Sequence, residues 1–111
     1  MSKRNDPLLV ADIAESIEKI QIYVQDLDLL AFSKDDKTKD AVVRNLAIIG
    51  EAVNKLSETF TSQHTAIEWR KIAAFRNRLI HEYFGVDYDV VWLVIHQDLQ
   101  VLAQYLATLE E

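Results

Sequence analysis

The segment AVVRNLAIIGEAVNKL, residues 41–56, carries the apolar periodicity that decides the fold. Its apolar residues recur at alternating intervals of four and three, at Val42, Leu46, Ile49, Val53 and Leu56. This spacing follows the turn of an α-helix and is typical of a helix that buries one side. Gly50 interrupts the pattern, where glycine costs about 1 kcal/mol relative to alanine. We therefore expect a neighbouring backbone to approach this helix closely at Gly50.

Two further segments with helical periodicity lie on either side of this helix. The first opens with Asp6 as the predicted N-cap and Pro7 at the first helical position. Its apolar positions are Ile13, Ile17, Ile20, Val24 and Leu27. A polar linker, residues 33–40, is predicted to lead into the helix of residues 41–56. The third segment starts near Trp69 and is expected to end at Gly85, because glycine commonly caps a helix C-terminus.

A fourth helix is predicted to begin with Asp87 as its N-cap. Its apolar positions are Val91, Val94, Val101, Tyr105 and Leu109. Asp98 falls on the same stripe, between Val94 and Val101. Asp98 either occupies a polar edge of the helix or faces a polar cleft or a second subunit, and both interpretations remain open. The second and fourth helices have apolar surfaces broad enough for dimerisation.

The composition of the chain favours a single all-α domain. Half of the 111 residues are apolar, whereas two glycines and one proline are too few for the turns of a β-sandwich. The absence of cysteine excludes disulfides, thiolate catalysis and Cys-based zinc sites. No apolar stretch approaches membrane-spanning length. We predict one domain, residues 1–111, folded as an up-down bundle of four to five helices in a cytoplasmic protein.

Charge is distributed unevenly along this acidic chain. A net charge of −6 counts against nonspecific nucleic-acid binding. Residues 69–81 nevertheless hold four cations and no acidic residue, namely Arg70, Lys71, Arg76 and Arg78. This basic patch overlaps FRNRLIHEYFG, residues 75–85, where polar and aromatic groups crowd together. The overlap predicts a functional site in residues 75–85.

The side chains of that segment suit phosphoryl chemistry. On a continuous helix, Asn77 and His81 share a face, whereas Arg76 lies about 140° around the helix from His81. A site that uses both would lie where the helix end meets another surface, such as a cleft between subunits. Histidine moves protons near neutral pH, arginine binds phosphate, and asparagine hydrogen-bonds a partner or a sugar hydroxyl. Together they suit cleavage of RNA by its own 2′-hydroxyl, although most Arg and His pairs at this spacing are surface decoration of a helix.

Three other features are ambiguous or negative. Tyr83 is either a core aromatic beside Phe84 or a hydroxyl at the rim of the pocket around His81. Glu51 is either an exposed carboxylate paired with Lys55 or a group that reaches the third helix and orients an arginine or His81. No metal site is predicted, because the three histidines lie on different segments, without ligand spacing.

The ordered set Arg76, His81 and Tyr83 resembles the motif of the HepT-like toxins, small helical ribonucleases of the HEPN superfamily. RNLAIIGEAVNKL, residues 44–56, is similar to the family's second-helix block. WRKIAAFRNRLIHEYFGVDYDVVW, residues 69–92, is similar to its central block. Glu68 replaces the proline often found before the tryptophan.

This resemblance implies a HEPN-type bundle that dimerises and cuts RNA at a shared cleft without metal. Arg76 and His81 would be catalytic, Asn77 would orient them, and the other basic residues, Arg78, Arg70 and Lys71, would contact RNA. The chain would be the toxin of a type VII toxin–antitoxin system. Its partner, an MntA-like nucleotidyltransferase antitoxin, would transfer AMP from ATP to Tyr83, while the toxin itself needs no cofactor. The alternative is a non-catalytic bundle that docks a nucleotidyltransferase or another protein.

Overall fold

The computed structural model describes residues 5–75, 77, 80–81 and 85–109, with residues 80 and 81 described in their backbone alone. Its helices are α1 (Asp6–Val24), α2 (Leu29–Lys34), α3 (Asp36–Lys55), α4 (Glu58–Gln63), α5 (Trp69–Ala73), α6 (Tyr88–His96) and α7 (Asp98–Leu109). Strands β1 (Ile80–His81) and β2 (Gly85–Val86) form one short antiparallel pair. The predicted all-α helical bundle is confirmed. No helix within the described residues is long and apolar enough to cross a membrane.

The two longest helices, α1 and α3, pack along each other and supply much of the core. All five apolar residues that define the stripe of residues 41–56 are buried. On α1 the four predicted positions from Ile13 to Val24 are also buried, whereas Leu27 lies beyond the end of the helix and is partly exposed. Helix α5 packs on α3, and α7 packs on α1 and α6.

Gly50 is the point at which α3 and α5 come into backbone contact. A Cβ atom built on Gly50 would lie 3.4 Å from the carbonyl oxygens of both Ile72 and Ala73. The expected close approach of a neighbouring backbone is therefore confirmed. Glycine lets the last turn of α5 lie directly against α3.

The start of α1 differs from the prediction by one residue. Asn5 is the N-cap, and its side-chain oxygen accepts a hydrogen bond from the Leu8 N–H at 3.0 Å. Asp6 instead links α1 to the start of α4. Its Oδ1 accepts from the Ser57 N–H at 2.9 Å and its Oδ2 accepts from the Ser57 hydroxyl at 2.6 Å. Both bonds lower the pKa of Asp6, and the bond from the Ser57 hydroxyl has the larger effect.

The predicted polar linker, residues 33–40, is wrong, because most of it is helical. Helix α2 ends at Lys34 and α3 begins at Asp36, so that Asp35 alone separates them. Asp35 caps α3 by accepting from the Thr38 N–H at 3.1 Å and from the Thr38 hydroxyl at 2.7 Å. The short helix α2 buries Phe32 alone, so its sequence has no apolar period to reveal it.

The predicted start of the fourth helix is confirmed, but its predicted face is wrong beyond Gln97. The Asp87 carboxylate accepts from the N–H groups of Asp89 and Val90, both at 3.2 Å. Gln97 then separates α6 from α7, and the core side chains after it are Leu99, Leu102 and Leu106. Val101 is 59% exposed. Both series of apolar residues fit helical spacing, and the break at Gln97 decides which one is buried.

The third predicted helix is also shorter than expected. Helix α5 ends at Ala73, and the backbone is extended at Ile80 and His81, which pair with Val86 and Gly85 respectively. β-Branched residues such as isoleucine and valine favour extended backbone. Gly85 has the left-handed φ of +74° that the sequence predicts for glycine, but it begins β2 rather than capping a helix.

Substitutions at Gly50 test the crossing of α3 and α5. Gly50→Ala should change the free energy of unfolding by less than about 1 kcal/mol, because its methyl group reaches normal contact and helix propensity improves. Gly50→Val should cost about 1–3 kcal/mol, because its γ-carbons overpack against the α5 carbonyls. Urea denaturation gives both values. Ala47→Val, at an exposed position of the same helix, is the matched control. Equal losses of unfolding free energy in Ala47→Val and Gly50→Val would contradict the close contact of α5 with Gly50.

Asp6→Asn should destabilise the protein in a pH-dependent way. Because folding lowers the Asp6 pKa, the stability it contributes is fully present above its ordinary value of 3.8 and is lost as pH falls through the folded pKa. The difference in unfolding free energy between wild type and Asp6→Asn should therefore be constant near neutral pH and shrink below about pH 3.8. Denaturation across that range checks it, with Asp40→Asn as the control; a difference that grows on acidification would contradict it.

Candidate functional site

The predicted site follows a firmly anchored helix. In α5, Trp69 and Ile72 are buried against the core, and the Trp69 indole N–H donates to the His64 carbonyl at 2.8 Å. Phe75, which opens the motif segment, is completely buried. The anchoring residues therefore alternate with exposed ones, and α5 turns Arg70 and Lys71 outward. The fold presents the start of the basic patch on the surface at the point where α5 crosses α3.

Lys71 is engaged by an acidic group from another helix. Its Nζ lies 3.7 Å from Oδ1 of Asp98, whose side chain is 17% exposed. Both residues line a cavity of about 210 Å³ between α5 and α7. Of the two interpretations of Asp98, the structure therefore favours the one in which it faces a cleft, and apolar residues together with Lys71 and Glu68 line that cleft. The Asp98 carboxylate offsets part of the positive charge that Lys71 brings to the patch.

Asn77 and His81 do not share a single helix. Asn77 has helical backbone and an exposed side chain, whereas His81 lies in β1 opposite Gly85. The prediction that Asn77 and His81 lie on one helical face is therefore wrong, because β1 begins between them. Three further predicted site residues, Arg76, Arg78 and Tyr83, lie outside the described residues. Their roles, like those of Asn77 and His81, stay predictions.

Glu51 is found in the first of its two expected arrangements. Its Oε1 lies 3.5 Å from Nζ of Lys55, one turn further along α3, and the Glu51 side chain is 71% exposed. An exposed pair at this spacing stabilises a helix by about 0.5 kcal/mol or less. The orienting role of Glu51 stays a prediction, because it would require contact with an arginine or His81 rather than with Lys55.

Two histidines outside the motif have local structural partners. Nδ1 of His64 is 2.5 Å from the Tyr105 hydroxyl, which ties the end of α4 to α7. Nδ1 of His96 lies 2.9 Å from the Trp92 carbonyl oxygen, and the rings of the two residues contact each other at a tilt of 41° with centroids 4.2 Å apart. In the part of the chain that the structure describes, no group of three or more histidine, aspartate and glutamate side chains could hold a metal ion.

Sequence reasoning missed the surroundings of Arg70. This residue lines an open cavity of about 590 Å³ formed by the end of α3, by α4 and by α5. The polar side chains that share the cavity with Arg70 are Asn54, Glu58, Thr61 and Glu68. Each occupies an ordinary polar position in its own segment. No spacing in the sequence relates them, because the crossing of α3 and α5 brings them together.

Comparison with known proteins gives consistent matches over most of the chain. A family model described as "Ribonuclease HepT-like" matches residues 13–109. The chain is 41% identical over 100 residues to "Probable ribonuclease HepT" of Thermococcus cleftensis, covering 90% of this chain and 91% of that protein. No match to a solved structure was found.

Two further relatives carry the name "Putative RNase". One, from Caldanaerobacter subterraneus subsp. tengcongensis, is 42% identical over 90 residues, which cover 81% of this chain and 80% of that protein. The other, from Methanocaldococcus jannaschii, is 37% identical over 95 residues, which cover 86% of this chain and 78% of that protein. The similarity therefore spans the helical bundle as a whole and includes the segment with the predicted site.

Proposed function

The chain belongs to the ribonuclease HepT-like family, and from this membership we propose that it is an endoribonuclease toxin of a type VII toxin–antitoxin system. The observation that carries the proposal is the family match over residues 13–109, which includes every predicted site residue. Family membership favours a ribonuclease over the non-catalytic docking bundle that the acidic composition also allowed. RNA is the substrate.

The proposed reaction uses groups that residues 75–85 supply, without a metal ion. One His81 imidazole takes the proton from the RNA 2′-hydroxyl, whose oxygen attacks the adjacent phosphorus. The partner subunit's His81, protonated, gives its proton to the leaving 5′-oxygen, so that the products are a 2′,3′-cyclic phosphate and a 5′-hydroxyl. Arg76 stabilises the charge that develops on the phosphorane, and Asn77 orients the reacting groups.

A second copy of the chain is part of this proposal, because one His81 cannot serve as base and acid at once. Exposed apolar side chains on α6 and α7 support it. Leu93 is 51% exposed and Val101 is 59% exposed, and both belong to the predicted fourth helix. Burying such side chains between two copies would gain about 25 cal/mol for each Å² of apolar surface removed from water.

The proposed control acts through Tyr83. A partner nucleotidyltransferase transfers AMP from ATP to the Tyr83 hydroxyl, forming a bond from the tyrosine oxygen to the α-phosphorus and releasing pyrophosphate. The adenylate adds bulk and negative charge beside the catalytic residues. It then competes with RNA phosphate for Arg76 and Arg78. This proposal is supported by the family match over residues 13–109, which includes Tyr83.

Removal of either proposed catalytic residue should abolish toxicity. His81→Ala and Arg76→Ala should each reduce RNA cleavage by about 100-fold or more, because proton transfer and phosphorane stabilisation each contribute at least that much. Cleavage of a labelled RNA by purified protein and growth after induction measure the effect. The exposed residues His96 and Arg44 provide matched controls, His96→Ala and Arg44→Ala. An equally toxic His81→Ala variant would remove His81 from the mechanism.

Modification of Tyr83 is tested by intact mass spectrometry. Expression with a partner nucleotidyltransferase, in the presence of ATP, should add the mass of one or more adenylyl groups. Tyr83→Phe should prevent the addition, because it removes the accepting oxygen, whereas Tyr23→Phe, at a partly exposed tyrosine of α1, should not. Unchanged modification of Tyr83→Phe would place the acceptor elsewhere in the chain.

A further inference from the structure

The cavity beside Arg70 adjoins the proposed catalytic segment. Ala73 lines its wall and belongs to the turn of α5 that contacts Gly50. Asn77 follows four residues later, and successive Cα atoms are about 3.8 Å apart, so the Cα atoms of Ala73 and Asn77 are within about 15 Å of each other. A nucleotide in the cavity would therefore be close to the site of cleavage. At about 590 Å³ the cavity is within the size range of small-molecule sites.

The floor of this cavity is apolar and rigidly held. Val53, Leu56 and Trp69 line it, and each is less than 10% exposed. The Trp69 ring cannot turn freely, because its N–H is bonded to the His64 carbonyl and Phe60 packs against it with ring centroids 5.7 Å apart. A nucleobase is a flat ring with apolar faces and polar edges, and such rings bind on apolar or aromatic surfaces.

The rim of the cavity is rich in hydrogen-bond acceptors. Glu58 and Glu68 contribute carboxylates, and Asn54 contributes an amide, whose oxygen accepts and whose NH2 group donates. The Thr61 hydroxyl donates to the Glu58 carbonyl at 3.3 Å, so its oxygen faces further partners as an acceptor. Among the described residues that line this cavity, Arg70 is the single cation. Four groups that accept hydrogen bonds therefore surround an apolar floor.

This distribution of charge determines how a nucleotide would enter. A phosphate 4 Å from a carboxylate is repelled by about 1 kcal/mol even in water, so the phosphate avoids Glu58 and Glu68 and lies at Arg70. The base then points toward the acceptors. Amino groups of guanine, adenine or cytosine can donate to a carboxylate, whereas uracil has no amino group and its single donor, N3–H, lies between two carbonyl oxygens that the carboxylates repel.

We infer that this cavity binds one RNA nucleotide near the scissile phosphate and selects a base with an exocyclic amino group. Arg70 holds its phosphate, the floor around Trp69 holds the ring, and Glu58 and Glu68 accept from the amino group. The inference rests on the proposed ribonuclease function for its substrate class. It adds a specificity site, since the proposed catalytic residues themselves contact phosphate and ribose rather than the base.

Binding of uncleavable RNA tests the inference without requiring catalysis. Tetranucleotides with 2′-O-methyl groups lack the attacking hydroxyl, and a uridine tetramer is compared with tetramers in which one uridine is replaced by guanosine, adenosine or cytidine. For one position of the substitution, the tetramer with the amino-bearing base should bind the protein about tenfold more tightly than the uridine tetramer. Fluorescence anisotropy measures both affinities. Equal binding of all tetramers, or no binding, would overturn the inference.

Variants separate base selection from general RNA affinity. Glu58→Gln with Glu68→Gln should reduce the discrimination to about twofold or less while tightening the uridine tetramer, because both carboxylates repel phosphate. Glu68 makes no side-chain capping bond in α5, so Glu68→Gln alone preserves the helix start. Arg70→Ala should weaken all tetramers alike and reduce the salt slope by about 0.7. Glu15→Gln, on α1, is the matched control for charge removal; unchanged discrimination in the double variant would overturn the inference.

A parallel cleavage assay distinguishes this inference from the proposed function. The wild-type protein is incubated with an unmodified RNA pool, and the cut ends are sequenced. Absence of cleavage would contradict the proposed endoribonuclease, while the tetramer measurements would still decide whether the cavity selects a base. Cleavage with a base preference that persists in the Glu58→Gln, Glu68→Gln variant would support the nuclease and overturn the role of the cavity.

Discussion

The contact between α3 and α5 at Gly50 positions Arg70, Lys71 and the cavity beside Arg70. With no side chain at Gly50, the carbonyl groups of Ile72 and Ala73 lie directly against α3. Trp69 and Ile72 are then buried on one side of α5, which leaves Arg70 and Lys71 on the other. The same contact places the end of α3 beside α5 and so creates the cavity of about 590 Å³. A side chain with γ-carbons at Gly50, such as valine, would overpack against the α5 carbonyls.

Much of the helical core could be predicted from the sequence, because periodic burial leaves a local pattern. The buried stripe of residues 41–56 could be predicted from the spacing of its five apolar residues. The N-cap at Asp87 could be predicted from that one side chain. Gly50 could be interpreted because glycine inside a helix is costly unless a neighbour requires the space. These features share one property: the residues that determine them lie within a turn or two of each other.

The predictions were wrong where one sequence segment fits several local structures and packing against a distant segment determines which of them forms. Apolar residues of α7 offered two helical faces, and the break at Gln97 determined that Leu99 and Leu102, rather than Val101, are buried. The charged sequence around Asp35 looked like a linker because α2 is short and has one core residue. The extended backbone at His81 requires the pairing of β1 with β2, which helical spacing does not reveal. The cavity residues are likewise related by the fold alone.

The electrostatic character of the chain connects the proposed catalysis, selection and control. With eighteen acidic and twelve basic residues, the body of the protein repels RNA at long range. Binding must then come from few contacts, and Lys71 is already opposed by Asp98 at 3.7 Å. Under such conditions one additional favourable contact, such as a base held in the cavity, changes affinity substantially. One additional negative group at Tyr83 would lower the affinity for RNA, because a small set of cations is easily neutralised.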